Sequence, residues 1–229
     1  MQKRLRRILI AVVIGLALSA AGILILSVAL QEKLPRYQGR VLNDWLADRK
    51  SADASVSNRA CAALVASIPQ LTDTIFNDTN DSKLRLALIG ELNELPGIQI
   101  CFSTAEGRRE VAVQALGLIG PRARSAVPDL IKVVKGKDPA TRPGAALALG
   151  QIQHEPQTVI PVLIGLLDDP QEDVPENAIE ALGDFGALSK AAVPKMLEML
   201  KLPDKDMQVA LRTALKKIDP EEAAKAGIK

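Results

Sequence analysis

The chemistry open to this chain is bounded first by how few reactive side chains it has: one histidine and two cysteines in 229 residues. His154 stands beside Glu155 in "QIQHEPQT". A single imidazole supplies one general base at most, and no neighbouring nucleophile in the sequence supports a Ser-His-Asp or Cys-His scheme. Metal ligation needs converging ligands, whereas His154-Glu155 is one pair in a stretch that reads as a turn between helices. The even pair Cys61 and Cys101 is compatible with one disulfide in an oxidising compartment. Cys61, flanked by Ala60 and Ala62, reads better as a small buried thiol. The expectation is a non-enzymatic protein with no catalytic residue, no metal and no cofactor.

The elements that must position any site are helical. Apolar residues make up 48% of the chain but aromatics only 2%, so the core is built from Ala, Leu, Ile and Val, which suits closely stacked helices. No long alternation of β-branched and aromatic residues points to strands. Charge is uneven along the chain. Lys3, Arg4, Arg6 and Arg7 precede the first acidic residue, and the remainder carries 25 basic against 27 acidic groups out of totals of 29 and 27. No basic patch interleaved with aromatics supports nucleic-acid binding, and no small-molecule substrate is evident.

Residues 8 to 30, "ILIAVVIGLALSAAGILILSVAL", run without a charge. At about 1.5 Å per residue this spans a hydrocarbon layer of about 30 Å. A cleaved signal peptide is the alternative, with Ser27 and Ala29 as small residues near a cleavage site, but its apolar region is ordinarily about 7 to 15 residues. The reading adopted is a single-pass anchor in the cytoplasmic membrane. Its basic flank stays in the cytoplasm and the rest lies outside, in the periplasm of a diderm cell. The segments are a basic tail at 1–7, the anchor at 8–30, a linker with an N-terminal capping helix at 31–55, and a helical solenoid at 56–229.

Self-comparison shows a repeat. "VQALGLIG", "ALALGQIQ", "AIEALGDFG" and "LRTALKKID" place Leu116, Leu149, Leu182 and Leu215 at a step of 33, and Pro128, Pro161 and Pro194 keep the same step. Each unit reads as two helices. In the copy from Arg109 the first helix carries Val111, Ala115, Leu116 and Ile119 inward and ends at Gly120-Pro121. Ser125 is expected to cap the second, whose inner face is Val127, Leu130, Ile131 and Val134, with Pro128 in its first turn. Ala115, Ala148 and Ala181, with Gly117, Gly150 and Gly183, form a low-profile strip on which helices can approach closely. Regular copies cover 109–218. Upstream, "SNRACAALVASI" and "SKLRLALIGEL" read as first helices of degenerate copies, helical over 56–100.

Paired helices with Arg109 or Arg142 near the start, Ala-Leu-Gly toward the end of the first helix and "AVP" opening the second resemble the HEAT repeat in its short, bacterial, lyase-type form. The arginine becomes Pro175 and Gln208 in later copies, and Lys216 replaces the glycine in the last, as a terminal repeat allows. The resemblance implies an all-α superhelix with the second helices lining its concave face. Their non-core positions then form a contact row for a protein partner: Asp129, Val162 and Lys195; Lys132, Gly165 and Glu198; and the apolar rung Val133, Leu166 and Met199, which ordinary helix packing would equally explain. HEAT-like enzymes supply the alternatives, a lyase or a metal-dependent hydroxylase. The latter hold two irons with several His-Glu pairs, where this chain has one. A purely structural envelope spacer is the third class.

"YQGRVLNDWL" resembles a segment found before the repeats in membrane-anchored HEAT-repeat proteins of bacteria. Trp45 keeps helical spacing with Leu42 and Leu46, which makes these three a structural cap over the open apolar end of the first helices. Tyr37, nearer the apolar run, is assigned to the lipid boundary.

Overall fold

A computed structural model describes residues 36–79 and 104–228, with residues 81, 83, 86 and 87 between them. The chain divides into two units. Leu34–Thr79 with Ala105–Lys229 form one, and every element below belongs to it; the other comprises Met1–Lys33 and Asn80–Thr104. The apolar run at 8–30, most of "SKLRLALIGEL" and Cys101 lie outside the described residues. Among the described residues no helix is long and apolar enough to cross a membrane.

The described chain opens on a feature that an all-α reading does not contain. Strands β1 (Arg36–Tyr37) and β2 (Arg40–Val41) pair antiparallel, with Arg36 opposite Val41 and Tyr37 opposite Arg40. Gln38 and Gly39 both take positive φ, 51° and 78°, as a two-residue hairpin turn of the primed kind requires. Helix α1 (Leu42–Asp48) follows directly and packs on α2 (Ala54–Ala66). Asp53 caps α2, its carboxylate accepting from the Ser55 N–H at 2.7 Å. Ser67 alone separates α2 from α3 (Ile68–Asn77), so "SNRACAALVASI" is the first helix of a pair.

Beyond the interruption, α4 (Ala105–Ile119), α6 (Arg142–Ile152), α8 (Asp173–Phe185) and α10 (Lys205–Ile218) pack successively on one another as the first helices. The second helices are α5 (Val127–Lys135), α7 (Pro156–Leu166) and α9 (Val193–Met199). Each of these packs against the first helix of the following pair, as α3 does against α4. A short α11 (Pro220–Lys225), capped by Asp219, ends the stack and buries Ala223, with Ile228 buried just beyond it.

The small-residue strip is where first helices meet. A β-carbon on Gly117 would lie 3.2 Å from Ala148 Cβ, on Gly150 2.6 Å from Ala181 Cβ, and on Gly183 3.2 Å from Ala214 Cβ. Each glycine therefore receives the alanine of the next copy's Ala-Leu-Gly or equivalent mark. Glycine costs about 1 kcal/mol in a helix relative to alanine. Helices this close recover that through dispersion contacts that a larger residue would prevent.

One local expectation is corrected, and one departure from the repeat register is found. Ser125 does not cap a second helix: residues Gly120–Ala126 form a 3-10 turn, and α5 starts at Val127 from Ala126 without a side-chain cap. Pro128 and Pro194 sit in first turns, but Pro161 lies inside α7. The reason is the connection before it. Gln153 and Glu155 take left-handed φ of 52° and 51°, so the chain reverses within three residues and α7 begins at Pro156, ahead of the repeat register.

Candidate functional site

The site residues follow from which helix faces the stack consumes. Of the predicted contact row, Val133, Leu166 and Met199 are buried. They belong to the core, because second helices pack inward against first helices and this rung points there. The apolar rung is therefore removed from the accessible face. Asp129, Val162 and Lys195 are half-buried, while Lys132, Gly165 and Glu198 are exposed.

On this face Asp129, Lys132 and Lys195 are paired. Lys132 Nζ meets Asp129 Oδ1 at 2.8 Å on α5, and Lys195 Nζ on α9 meets Asp168 Oδ1 at 2.6 Å. The hydrogen bond from Lys195 to Asp168 raises the pKa of the ammonium above its usual value. A shallow groove of about 540 Å³ runs along α7, with Pro161, Val162 and Gly165 in its wall beside Val134 and Leu166, and with Lys135, Arg142 and Asp169 as its charged members. A β-carbon on Gly165 would meet nothing within 4 Å, so another backbone can approach there.

Sequence reasoning missed a second groove, on the first-helix side. It measures about 580 Å³, with Pro143, Gly144 and Leu147 of α6 between rims carrying Glu106 and Glu110 of α4 and Asp173 and Glu176 of α8. The signal was available: Glu106 and Glu110 recur at one helical step on an exposed face of α4.

The connections are held by arginine–aspartate pairs. Arg109 Nε donates to Asp138 Oδ2 at 3.0 Å, and Arg142 in the next copy pairs with Asp169. Asp138 also accepts from the Ala140 N–H at 3.2 Å and the Thr141 hydroxyl at 3.1 Å. Burial pushes the Asp138 carboxyl up, but the hydrogen bond and charge of Arg109, with the Ala140 and Thr141 donors, outweigh it and hold its pKa below the usual value. Gln171 links two connections, its Nε2 donating to the Pro139 carbonyl at 2.7 Å. In the third copy the buried Pro175 replaces the arginine, and Asp204 instead caps α10, accepting from the Met207 N–H at 3.0 Å. Arg108, which the 33-residue register passes over, is fully buried and pairs with Asp78 through Nη2 and Oδ1 at 2.7 Å.

At the N-terminal end Trp45 is buried, its indole N–H donating to the Tyr37 carbonyl at 3.1 Å. Arg40 lies 4.3 Å from the centre of its ring and pairs with Asp48 at 2.9 Å. Leu46 and Tyr37 pack partly buried against the core; Leu42 lies in α1. Cys61 is half-buried with a free thiol. His154 and Glu155 are 3.6 Å apart on the surface, and among the described residues no group of three potential metal ligands converges.

Residues 103–182 match the family model described as HEAT repeats. No curated protein matches the chain. Among solved structures, the complex of CpcE and CpcF of phycocyanin lyase from Nostoc sp. is similar at a TM-score of 0.51 and 25% identity, covering 83% of this chain and 70% of that one. An engineered protein aligns at 19% identity and a TM-score of 0.44, covering 81% of this chain and 83% of its own. Residues 103–182 are thus similar to HEAT repeats, and the described helices stack in a HEAT-like fold.

Proposed function

We propose that this chain is a non-enzymatic, membrane-anchored HEAT-repeat scaffold that binds a protein partner along its second helices, on the extracytoplasmic side of the cytoplasmic membrane. The observation that carries the reading is the groove over Pro161, Val162 and Gly165, whose wall also carries the charged Lys135, Arg142 and Asp169. An apolar side chain with a polar rim is what such a groove accepts from a polypeptide. Repeats that contact only their neighbours present an extended face on which recognition is spread over several helices. The basic tail and the apolar run at 8–30 support the anchor and its orientation.

A photocrosslinking residue at Val162 tests it, with one at Leu118 on the first-helix face as comparison. One protein captured in stoichiometric yield from position 162 and not from 118 is the expected result. Capture from 118 alone would move the contact surface to the other groove. A phosphatase reporter fused after residue 229 tests the orientation, since it is active only outside the cytoplasm.

The likeness to phycocyanin lyase favours a second reading, an enzyme subunit of the lyase type. A change in the absorption of phycocyanin on incubation with the full chain would support that reading. Stoichiometric iron in the purified protein would instead indicate a hydroxylase.

A further inference from the structure

We propose that Arg49 and Arg122 form an anion site for a phosphate group carrying an apolar substituent. They line a cavity of about 350 Å³ whose remaining walls are Cys61, Leu64, Ile119 and Pro121. Leu64 and Ile119 are buried, so the cavity has an apolar base beneath two cations. Arg49 is anchored by donating to the Leu118 carbonyl, which leaves donors on its guanidinium uncommitted. Neither arginine has a carboxylate partner among the described residues, in contrast to Arg108, Arg109 and Arg142, each held by an aspartate. Two guanidiniums at one cavity, neither paired with a carboxylate among the described residues, repel, and a phosphate relieves that repulsion while accepting forked, charge-assisted hydrogen bonds. The arginine is not a repeat feature. The residue 66 further on, in the matching 3-10 turn Gly186–Ala192, is the exposed Leu188.

The site is independent of the second-helix groove, and Cys61 in its wall is a built-in reporter. The full chain carrying Cys101→Ser, in neutral detergent, is alkylated at Cys61 by N-ethylmaleimide with inorganic phosphate or short-chain phosphatidylglycerol present. Slowing of about tenfold, lost in Arg122→Gln, is expected. Slowing by inorganic phosphate marks a soluble phosphate compound, and slowing by phosphatidylglycerol alone marks a lipid headgroup. Arg122 is exposed, and an unchanged melting temperature verifies the fold of the variant. No slowing by either probe, or equal slowing in Arg122→Gln, overturns the proposal.

Discussion

Gly150 on α6 and Ala181 on α8 are stacked so that a β-carbon on the glycine would lie 2.6 Å from that of the alanine. No real pair of β-carbons is that close, so the two central repeats can dock only with hydrogen at position 150. Gly150→Leu forces α6 and α8 apart and should cost at least the 1 to 3 kcal/mol or so typical of overpacking, read as a lower melting temperature. Gly165→Ala is the control. With open space around it, alanine there should leave stability unchanged or raise it by up to about 1 kcal/mol. Equal melting temperatures for Gly150→Leu and the parent would refute the close-packed strip.

Trp45 is buried and hydrogen-bonded to Tyr37 at the end of the stack. Trp45→Ala should cost about 3 to 5 kcal/mol in denaturant unfolding. Trp45→Phe keeps most of the packing and loses the indole bond, so it should cost about 1 kcal/mol from that bond. A loss near zero for Trp45→Ala would free the ring for the membrane interface.

Ser189 is fully buried, and its hydroxyl is without a partner, while the matching position in the Gly120–Ala126 turn is Ala123. Ser189→Ala removes a desolvated polar group and should stabilise the protein by about 1 kcal/mol. Destabilisation on calorimetry would show that the hydroxyl is satisfied in solution.

These positions show what the sequence could reveal. The 33-residue step marks the helix pairs and the glycine–alanine strip because both depend on residue size at fixed spacing. The burial of Trp45 is visible as a helical stripe with Leu42 and Leu46. The two-residue hairpin before it escapes, since strands this short leave no alternating run and only Gln38-Gly39 betrays the turn. Periodicity assigns Val133, Leu166 and Met199 to a rung but not to a face: their burial depends on how the second helices roll against the next pair. The cavity at Arg49 and Arg122 joins residues 73 apart in sequence, a proximity no local pattern contains.

Asp138 has a depressed pKa, so its pairing with Arg109 stabilises the fold above the ordinary value of 3.8 and is lost as pH falls through that value toward the lower folded one. The parent should therefore lose melting temperature on acidification from about pH 5. In Arg109→Gln that slope should be shallower. Superimposable pH profiles for the two proteins would remove the pair from the stability of the connection.

The most direct measurement is the affinity of the partner captured at Val162 for the full chain and for Gly165→Arg. Arginine at 165 projects from an exposed position where a β-carbon meets nothing within 4 Å, and its length fills the groove. The account predicts at least a tenfold or so rise in Kd with an unchanged melting temperature. An unchanged Kd would contradict recognition along the second helices.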